Sequence, residues 1–217
     1  MSEELEATLR RGLDALQMKL GDAQVGQLLA YLDLIGKWNR VYNLTAVRDI
    51  SGMLTHHLLD SLAVVVPLLR QGGGAPFKLL DVGSGVGLPG VVIAICCPLI
   101  EVDCIDAVAK KAAFIRQVAA TLQLPNLHGI HARVEKIAGK YDVVASRAFA
   151  SLAEFVALSD GSVAANGVWM AQKGREPLDE IAALPCGWIV FHVEHLHVPG
   201  LDAERCIVWL RRAAAVT

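Results

Sequence analysis

Apolar residues in the first 70 positions recur with the period of an α-helix. Leucines spaced four and three residues apart predict one buried helical face over residues 3–20. The same spacing over residues 25–38 predicts a second helix. A third is predicted to start at residue 50 or 53 and to end near Leu69. The amino-terminal part of the chain is therefore predicted to be helical.

A run of glycines followed by a proline ends this helical pattern. The stretch Gln71-Gly72-Gly73-Gly74-Ala75-Pro76 favours neither helix nor strand, and it is the best candidate for a domain boundary in the chain. We predict an N-terminal helical extension at residues 1–70 and a main domain at residues 77–217.

Beyond the glycines, short apolar runs alternate with helical patterns. We predict strands at 77–82, 100–105, 127–131, 141–145, 167–172, 188–196 and 205–211, and helices near 89–96, 108–122, 151–165 and 176–183. Such alternation is typical of a mostly parallel sheet covered by helices on both faces. Only Pro199 to Asp202 separates the last two strands, so they are expected to form an antiparallel hairpin. The predicted fold is α/β, with a seven-stranded sheet that closes on this hairpin.

Composition excludes several classes of protein. The 217 residues are 54% hydrophobic, which is enough for a large core and too much for a disordered chain. The formal net charge of -2 lacks the overall basicity of many nucleic-acid binders. The chain opens on Ser2-Glu3-Glu4 rather than on a basic, apolar leader, and its five cysteines form no CxxC pair. We therefore expect a cytoplasmic protein with reduced thiols and no membrane span.

Candidate chemistry begins where the first strand of the main domain ends. Gly83, Gly85 and Gly87 alternate after Asp81, and residues 85–90 read G-x-G-x-x-G. That motif alone also fits a nicotinamide dinucleotide oxidoreductase or a turn without a ligand. A carboxylate at Asp81 would repel a pyrophosphate, whereas the ammonium of S-adenosylmethionine tolerates it. Together with the closing hairpin, Asp81 favours S-adenosylmethionine.

Acidic and apolar side chains after the next two strands fit the rest of such a cofactor. Asp106 ends the second strand at the edge where ligands bind in open α/β sheets, and it is placed to accept the ribose hydroxyls. Its alternative role is to cap the following helix. After the third strand, Val134 could pack on the adenine and Glu135 could read its amino edge. An ordinary surface turn explains these two residues equally well.

The end of the fourth strand faces the methyl acceptor in this arrangement. The Asn/Asp-Pro-Pro-aromatic motif of enzymes that methylate exocyclic amines is absent there, and Arg147 takes its place. An arginine at this edge suggests contact with a carboxylate, a phosphate or a guanine edge. A structural ion pair, for example with Glu154, is the alternative. The histidines of residues 192–197 do not form a ligand set, so no metal is predicted.

Several longer motifs resemble the bacterial small-subunit (16S) rRNA guanine-N7 methyltransferase family, also called glucose-inhibited division protein B. They are Trp38-Asn39, Tyr42-Asn43-Leu44-Thr45-Ala46, His57-Leu58-Leu59-Asp60-Ser61-Leu62, Asp81 to Gly90, Ser146-Arg147-Ala148-Phe149-Ala150-Ser151-Leu152, Lys173-Gly174, and Val198-Pro199 with Leu201 to Arg205. The resemblance covers nearly the whole chain. One departure is Asp106-Ala107-Val108, where the family more often has Asp-Ser-Leu.

This resemblance implies a Rossmann-like methyltransferase that transfers the methyl group of S-adenosylmethionine to guanine N7, by in-line attack without a general base. The expected cofactor contacts are Gly83, Gly85, Leu88, Asp106, Val134, Glu135 and Arg147. The helical extension is expected on the RNA side, and the partner is small-subunit rRNA or a ribosomal subunit, bound by a monomer. The alternatives are methylation of another RNA or of a small molecule, an NAD-dependent oxidoreductase, or an assembly factor without activity.

RNA-contacting residues are the least specific part of this prediction. Residues 1–70 hold seven Lys or Arg against eight Asp or Glu, so the extension is not a basic clamp overall. The main candidates are Arg48, His57, Arg147 and Lys173, and the further candidates are Arg40, Arg175 and His56. Simple solvation is the alternative for each surface cation, and His57 could equally be a buried, hydrogen-bonded histidine.

Overall fold

The structure is a computed structural model that describes residues 2–213. The outer ends of the two predicted segments, residue 1 and residues 214–217, lie outside this range. The amino-terminal helices are α1 (Ser2–Ala15), α2 (Asp22–Tyr42), α3 (Ile50–Met53), α4 (Asp60–Leu62) and α5 (Val65–Gln71), with a π-helical turn at Leu54–Leu59 between α3 and α4. The first predicted helix is five residues too long, because Gln17 adopts a left-handed backbone with φ of 57°.

Seven strands form one sheet behind these helices. They are β1 (Lys78–Val82), β2 (Glu101–Asp106), β3 (Leu127–His131), β4 (Tyr141–Arg147), β5 (Val163–Lys173), β6 (Trp188–Leu196) and β7 (Arg205–Arg212), in the spatial order β3-β2-β1-β4-β5-β7-β6. The first five strands are parallel, whereas β7 runs antiparallel between β5 and β6. The predicted fold class and the closing hairpin are confirmed.

The remaining helices connect the strands. They are α6 (Gly90–Cys96), α7 (Ala109–Thr121), α8 (Leu152–Ser159) and α9 (Leu178–Ala182). The predicted helix over 151–165 was wrong at its end, because a 3₁₀ turn over Asp160–Ser162 leads directly into β5. Ser159 ends α8, where its hydroxyl accepts the Trp169 indole N–H at 2.8 Å.

The amino-terminal helices and one face of the sheet share a continuous hydrophobic core. Leu28, Leu32 and Tyr31 of α2 are fully buried in the same cluster as Val91 of α6 and Ile115 of α7. A second cluster, with Trp169 and Phe155, covers the opposite face of the sheet. A division into residues 1–70 and 77–217 stays a prediction.

The stretch Ile50–Gln71 has the length and hydropathy that a membrane span requires. Within it, 72% of the most apolar window is buried inside the protein. Such burial is typical of a core helix, so this stretch is weak evidence for a span.

Candidate active site

The loop after β1 has a backbone that only glycine adopts without strain. Gly83, Gly85 and Gly87 have φ of 66°, 62° and 92°. A side chain on Gly87 would also collide with Val91, because its Cβ would lie 2.3 Å from a Val91 methyl carbon. The three glycines are therefore required by the shape of the loop, which leaves its main chain open to a ligand.

Three side chains hold this loop in place, one from the end of β1 and two from distant parts of the sequence. A carboxylate oxygen of Asp81 accepts the Gly90 N–H at 2.9 Å, and Asp106 accepts the Gly85 N–H at 3.1 Å. From α2, the Tyr31 hydroxyl donates to the Val86 carbonyl at 2.6 Å. Sequence reasoning missed Tyr31, whose only signal is a tyrosine on an otherwise apolar helical face.

Asp81 is fully buried beneath the loop, and burial raises its pKa to about 7, although the Gly90 N–H acts in the opposite direction. Its second oxygen, Oδ1, has no hydrogen-bond partner among the described residues. The folded protein therefore keeps a proton on Asp81 at pH values where the unfolded chain has lost it.

This difference predicts that the Asp81 contribution to stability decreases as pH rises. It is fully present below the ordinary pKa of 3.8 and is lost as pH rises to the folded value of about 7. Asp81→Asn cannot ionise, and its amide oxygen can still accept the Gly90 N–H. Between pH 5 and 8, the free energy of unfolding of the wild type, measured with denaturant, should fall by roughly 2–3 kcal/mol relative to that of this variant. Parallel pH profiles for the two proteins would contradict the prediction.

A cavity of about 300 Å³ opens on one side of Gly83. This Asp106 cavity is lined by Val82, Gly83, Ile105, Asp106, Ala107, Ala132, Arg133, Val134, Glu135, Phe149 and Leu158. Asp106 is 6% exposed, and its two oxygens accept the Val108 and Gly85 N–H groups. A carboxylate has about four acceptor positions, so each oxygen can accept one hydroxyl more. The capping role and the ribose role of Asp106 are thus compatible.

The walls of the Asp106 cavity suit a flat heterocycle. Val134 is buried at the start of a 3₁₀ turn, and the exposed Glu135 follows it at the rim. Phe149 adds an aromatic ring that the sequence prediction did not include, and it packs edge-on against Phe155. A cavity with apolar faces, one buried carboxylate and a second carboxylate at its rim is chemically suited to a nucleoside.

A second cavity, of about 450 Å³, opens on the other side of Gly83. This Arg147 cavity is lined by Leu44, Thr45, His57, Asp60, Gly83, Ser84, Gly85, Val86, Leu88, Arg147, Ala148, Gln172, Lys173, Gly174 and Arg205. Ala148 has φ of 52°, a left-handed backbone that is strained for alanine and is often found at functional sites. Since both cavities share Gly83, one extended ligand can reach from one into the other.

Two guanidinium groups in the Arg147 cavity are fixed by one buried carboxylate. Asp60 is 2% exposed and accepts Arg147 Nη1 at 2.8 Å and Arg205 Nε at 2.7 Å. Arg147 also donates to the His56 carbonyl at 3.0 Å. The alternative of an ion pair for Arg147 is thus present, but its suggested partner Glu154 was wrong, because Glu154 instead belongs to the N-terminal cap of α8 with Ser151. Neither Asp60 nor Arg205 was singled out from the sequence, although both lie in motifs that carry the family resemblance.

The four main candidates for RNA contact lie in different environments. His57 lines the Arg147 cavity but is buried; its Nε2 lies 2.9 Å from the Thr45 hydroxyl, and burial lowers its pKa, which favours a neutral ring. Lys173 also lines this cavity, where Glu180 holds its ammonium at 2.8 Å. Arg48 lies outside the cavity and is exposed. The structure therefore brings Arg147, His57 and Lys173 together, and it leaves Arg48 apart.

Histidines and cysteines form no metal-sized cluster in the part of the chain that the structure describes. Cys97, Cys104 and Cys206 are buried free thiols. Burial raises the pKa of Cys97 to about 11, so its thiol is protonated at neutral pH.

Comparison with known proteins decides the family. A family model described as GidB, rRNA small subunit methyltransferase G, matches residues 24–208. The chain belongs to this family. A ribosomal RNA small subunit methyltransferase G from Polaromonas sp. is 64% identical over 97% of this chain and 95% of its own length. Another, from Paracidovorax citrulli, is 62% identical over 97% of this chain and 91% of its own length. The predicted methyltransferase family is confirmed.

Solved structures support the fold of this methyltransferase. A SAM-dependent methyltransferase from Leishmania major superposes with a TM-score of 0.59 at 14% identity, over 88% of this chain and 87% of that one. TrmN from Thermus thermophilus superposes with a TM-score of 0.56 at 17% identity, over 70% of this chain and 49% of that one. At such low identity the likeness concerns the fold alone.

Proposed function

We propose that the protein transfers the methyl group of S-adenosylmethionine to N7 of a guanine in small-subunit (16S) rRNA. The observation that carries the proposal is the pair of cavities on either side of Gly83. One offers a carboxylate between apolar walls, and the other offers two fixed guanidinium groups. The names of the relatives supply the rRNA substrate.

The chain fits S-adenosylmethionine through the loop and the Asp106 cavity. Asp106 would accept the ribose hydroxyls, and the adenine would lie against Val134 and Phe149 with Glu135 at its edge. Gly83, Gly85 and Leu88 border the passage into the Arg147 cavity, where the methionine end would lie. A Cβ on Gly83 would come within 2.5 Å of Phe149, so the two residues are packed as closely as a bare main chain permits.

Methylation at N7 does not require a general acid or base from the protein. When bound, S-adenosylmethionine supplies a methyl group that its sulfonium already activates. Guanine N7 has a free lone pair at neutral pH, so no side chain has to remove a proton first. The remaining task is orientation, which is the role we assign to Arg147 and Arg205. A guanidinium is suited to donate to the guanine O6 atom beside N7.

Access to N7 restricts the RNA that can react. N7 lies on the major-groove edge, which is deep and narrow in an A-form helix. The target guanine must therefore lie in a loop or an exposed junction. We further propose a cytoplasmic monomer, since rRNA is found in the cytoplasm and the residues of one chain line both cavities.

Asp106→Asn is expected to weaken binding of S-adenosylhomocysteine by about tenfold to a hundredfold, because it removes a charged acceptor from the ribose hydroxyls. Calorimetric titration measures this change. Asp103→Asn, on the same strand, is the control: Asp103 lies outside both cavities and accepts the Tyr141 hydroxyl, which an asparagine can also do. An equal loss of affinity in both variants would show that Asp106 does not bind the cofactor.

The proposed reaction is tested in cells with and without this protein. Borohydride–aniline cleavage of 16S rRNA detects N7-methylguanine, and we expect one cleavage to depend on the protein. An unchanged cleavage pattern would point to another RNA or a small molecule as the acceptor. Calorimetry with NADH in place of S-adenosylhomocysteine tests the oxidoreductase alternative, and binding of NADH alone would overturn the proposal.

A further inference from the structure

Positive charge is unevenly distributed in the amino-terminal helices. Residues 1–36 hold six acids and three bases, whereas residues 37–48 hold Lys37, Arg40 and Arg48 and no acid. Lys37 is paired with Asp33 at 2.6 Å. Arg40 and Arg48 are exposed, and no carboxylate of the described residues lies within 4.0 Å of either guanidinium. Two arginines thus remain available to an external anion.

These two arginines face one small cavity. This Arg40 cavity measures about 260 Å³ and is lined by Gly36, Asn39, Arg40, Asn43, Arg48 and Met53. Two guanidinium groups and the exposed Asn43 amide on one concave surface supply several N–H donors and no ionised acceptor. That donor set is suited to a phosphate group.

The loop over residues 43–48 is a wall shared by the Arg40 cavity and the Arg147 cavity. Leu44 and Thr45 line the Arg147 cavity, while Asn43 and Arg48 line the Arg40 cavity. The buried Asn39 fixes this loop from below: its amide donates to the Val47 carbonyl at 3.2 Å and accepts the Thr45 N–H at 2.8 Å. The two cavities therefore have a fixed relative position.

An exposed aromatic side chain lies at the carboxyl end of the same helix, α2. Tyr42 is 45% exposed and packs on Trp38 with ring centroids 5.0 Å apart. Lys110 reaches across from α7 and donates to the Tyr42 carbonyl at 2.9 Å. An exposed aromatic ring offers a surface on which a base of a single strand can stack.

We propose that the Arg40 cavity binds the phosphate backbone of the rRNA strand that flanks the target guanine. The strand would cross the loop over residues 43–48, with the guanine on one side and a flanking phosphate between Arg40 and Arg48 on the other. This inference rests on the proposed function, because it takes the target nucleotide to lie in the Arg147 cavity. It explains how a chain with a net charge of -2 holds a polyanion.

The test uses the full chain with both arginines changed, Arg40→Gln with Arg48→Gln. Binding of unmethylated small-subunit rRNA is measured by filter retention over a range of salt concentrations. We expect Kd to rise about tenfold and the slope of log K against log salt to fall by about one to two units. The Kd for S-adenosylhomocysteine should stay unchanged. Arg11→Gln with Lys19→Gln is the control. It removes the same charge from exposed positions outside the described cavities, and it should leave the Kd for rRNA and the salt slope unchanged.

Methylation of the same rRNA by the wild type separates this inference from the proposed function. A wild type that does not methylate the rRNA would overturn both. An active wild type, with unchanged Kd and salt slope in the Arg40 and Arg48 double variant, would overturn the inference alone. Weaker binding only to ribosomal subunits, and not to deproteinised rRNA, would assign the surface to a ribosomal protein and would also overturn it.

Discussion

Replacing Asp60 with asparagine is expected to lower kcat/KM for rRNA by about a hundredfold or more, because the two guanidinium groups in the Arg147 cavity lose their shared anchor. Asp60 is 2% exposed, and its carboxylate contacts Arg147 and Arg205 at 2.8 and 2.7 Å. Its main-chain carbonyl also accepts the Gln172 amide at 3.1 Å. With the anchor neutral, the guanidinium groups repel each other and turn away from the positions that orient the guanine.

The same substitution should reduce the free energy of unfolding by about 2 kcal/mol, because it weakens the hydrogen bonds of two partly exposed guanidinium groups to their shared carboxylate. Affinity for S-adenosylhomocysteine separates this loss of stability from a loss of orientation, and it should change by less than about threefold. Asp160→Asn is the matched control, since Asp160 accepts the Arg212 guanidinium at 2.9 Å but is 43% exposed and lies at the opposite end of the strands. An Asp60→Asn protein with full kcat/KM and reduced stability would show that the cluster is structural only.

Gly85→Leu is expected to abolish binding of S-adenosylhomocysteine while the protein stays folded. The Cβ of a residue at this position would point into open space beside the Arg147 cavity, with the nearest atom, the Gly83 carbonyl oxygen, 4.0 Å away. A leucine side chain would therefore occupy the part of the Arg147 cavity where the methionine end of the cofactor would lie. A substitution at Gly83 is less informative, because its Cβ would already displace Phe149.

Gly73→Leu controls for backbone strain in this experiment. Gly73 and Gly85 share a φ of 62°, and a Cβ on Gly73 would have no heavy atom within 4 Å. Leucine in this left-handed conformation should destabilise both variants by roughly 1–2 kcal/mol. Only Gly85→Leu should lose the calorimetric binding signal. If both variants bind normally, the glycine loop does not hold the cofactor.

Features determined by neighbouring residues could be predicted from the sequence. Apolar runs and their spacing were sufficient for all seven strands and for the closing hairpin. The alternating glycines after Asp81 indicated a ligand loop at the end of the first strand, and all three adopt a left-handed backbone in the structure. Asp106 could be placed at the ligand edge because it directly follows a buried strand.

Contacts between distant residues could not be predicted in this way. Asp60 lies 145 residues from Arg205 and 87 from Arg147, and no local pattern marks a carboxylate that will be buried between two cations. Tyr31 lies 55 residues from Val86, and the helical periodicity did not single it out. Sequence patterns indicate only partners that are close in the chain. The predicted partner of Arg147 was therefore Glu154, on the next helix.

Methyl transfer by the purified protein tests directly whether it methylates guanine N7 in small-subunit rRNA. Small-subunit rRNA from cells that lack the protein is incubated with S-adenosylmethionine labelled in its methyl group, and the RNA is digested to nucleosides. We expect label in 7-methylguanosine alone, with about one methyl group per rRNA molecule from wild-type protein and none from Gly85→Leu. Label in any other nucleoside, or unlabelled rRNA with an enzyme that binds S-adenosylhomocysteine, would contradict this expectation.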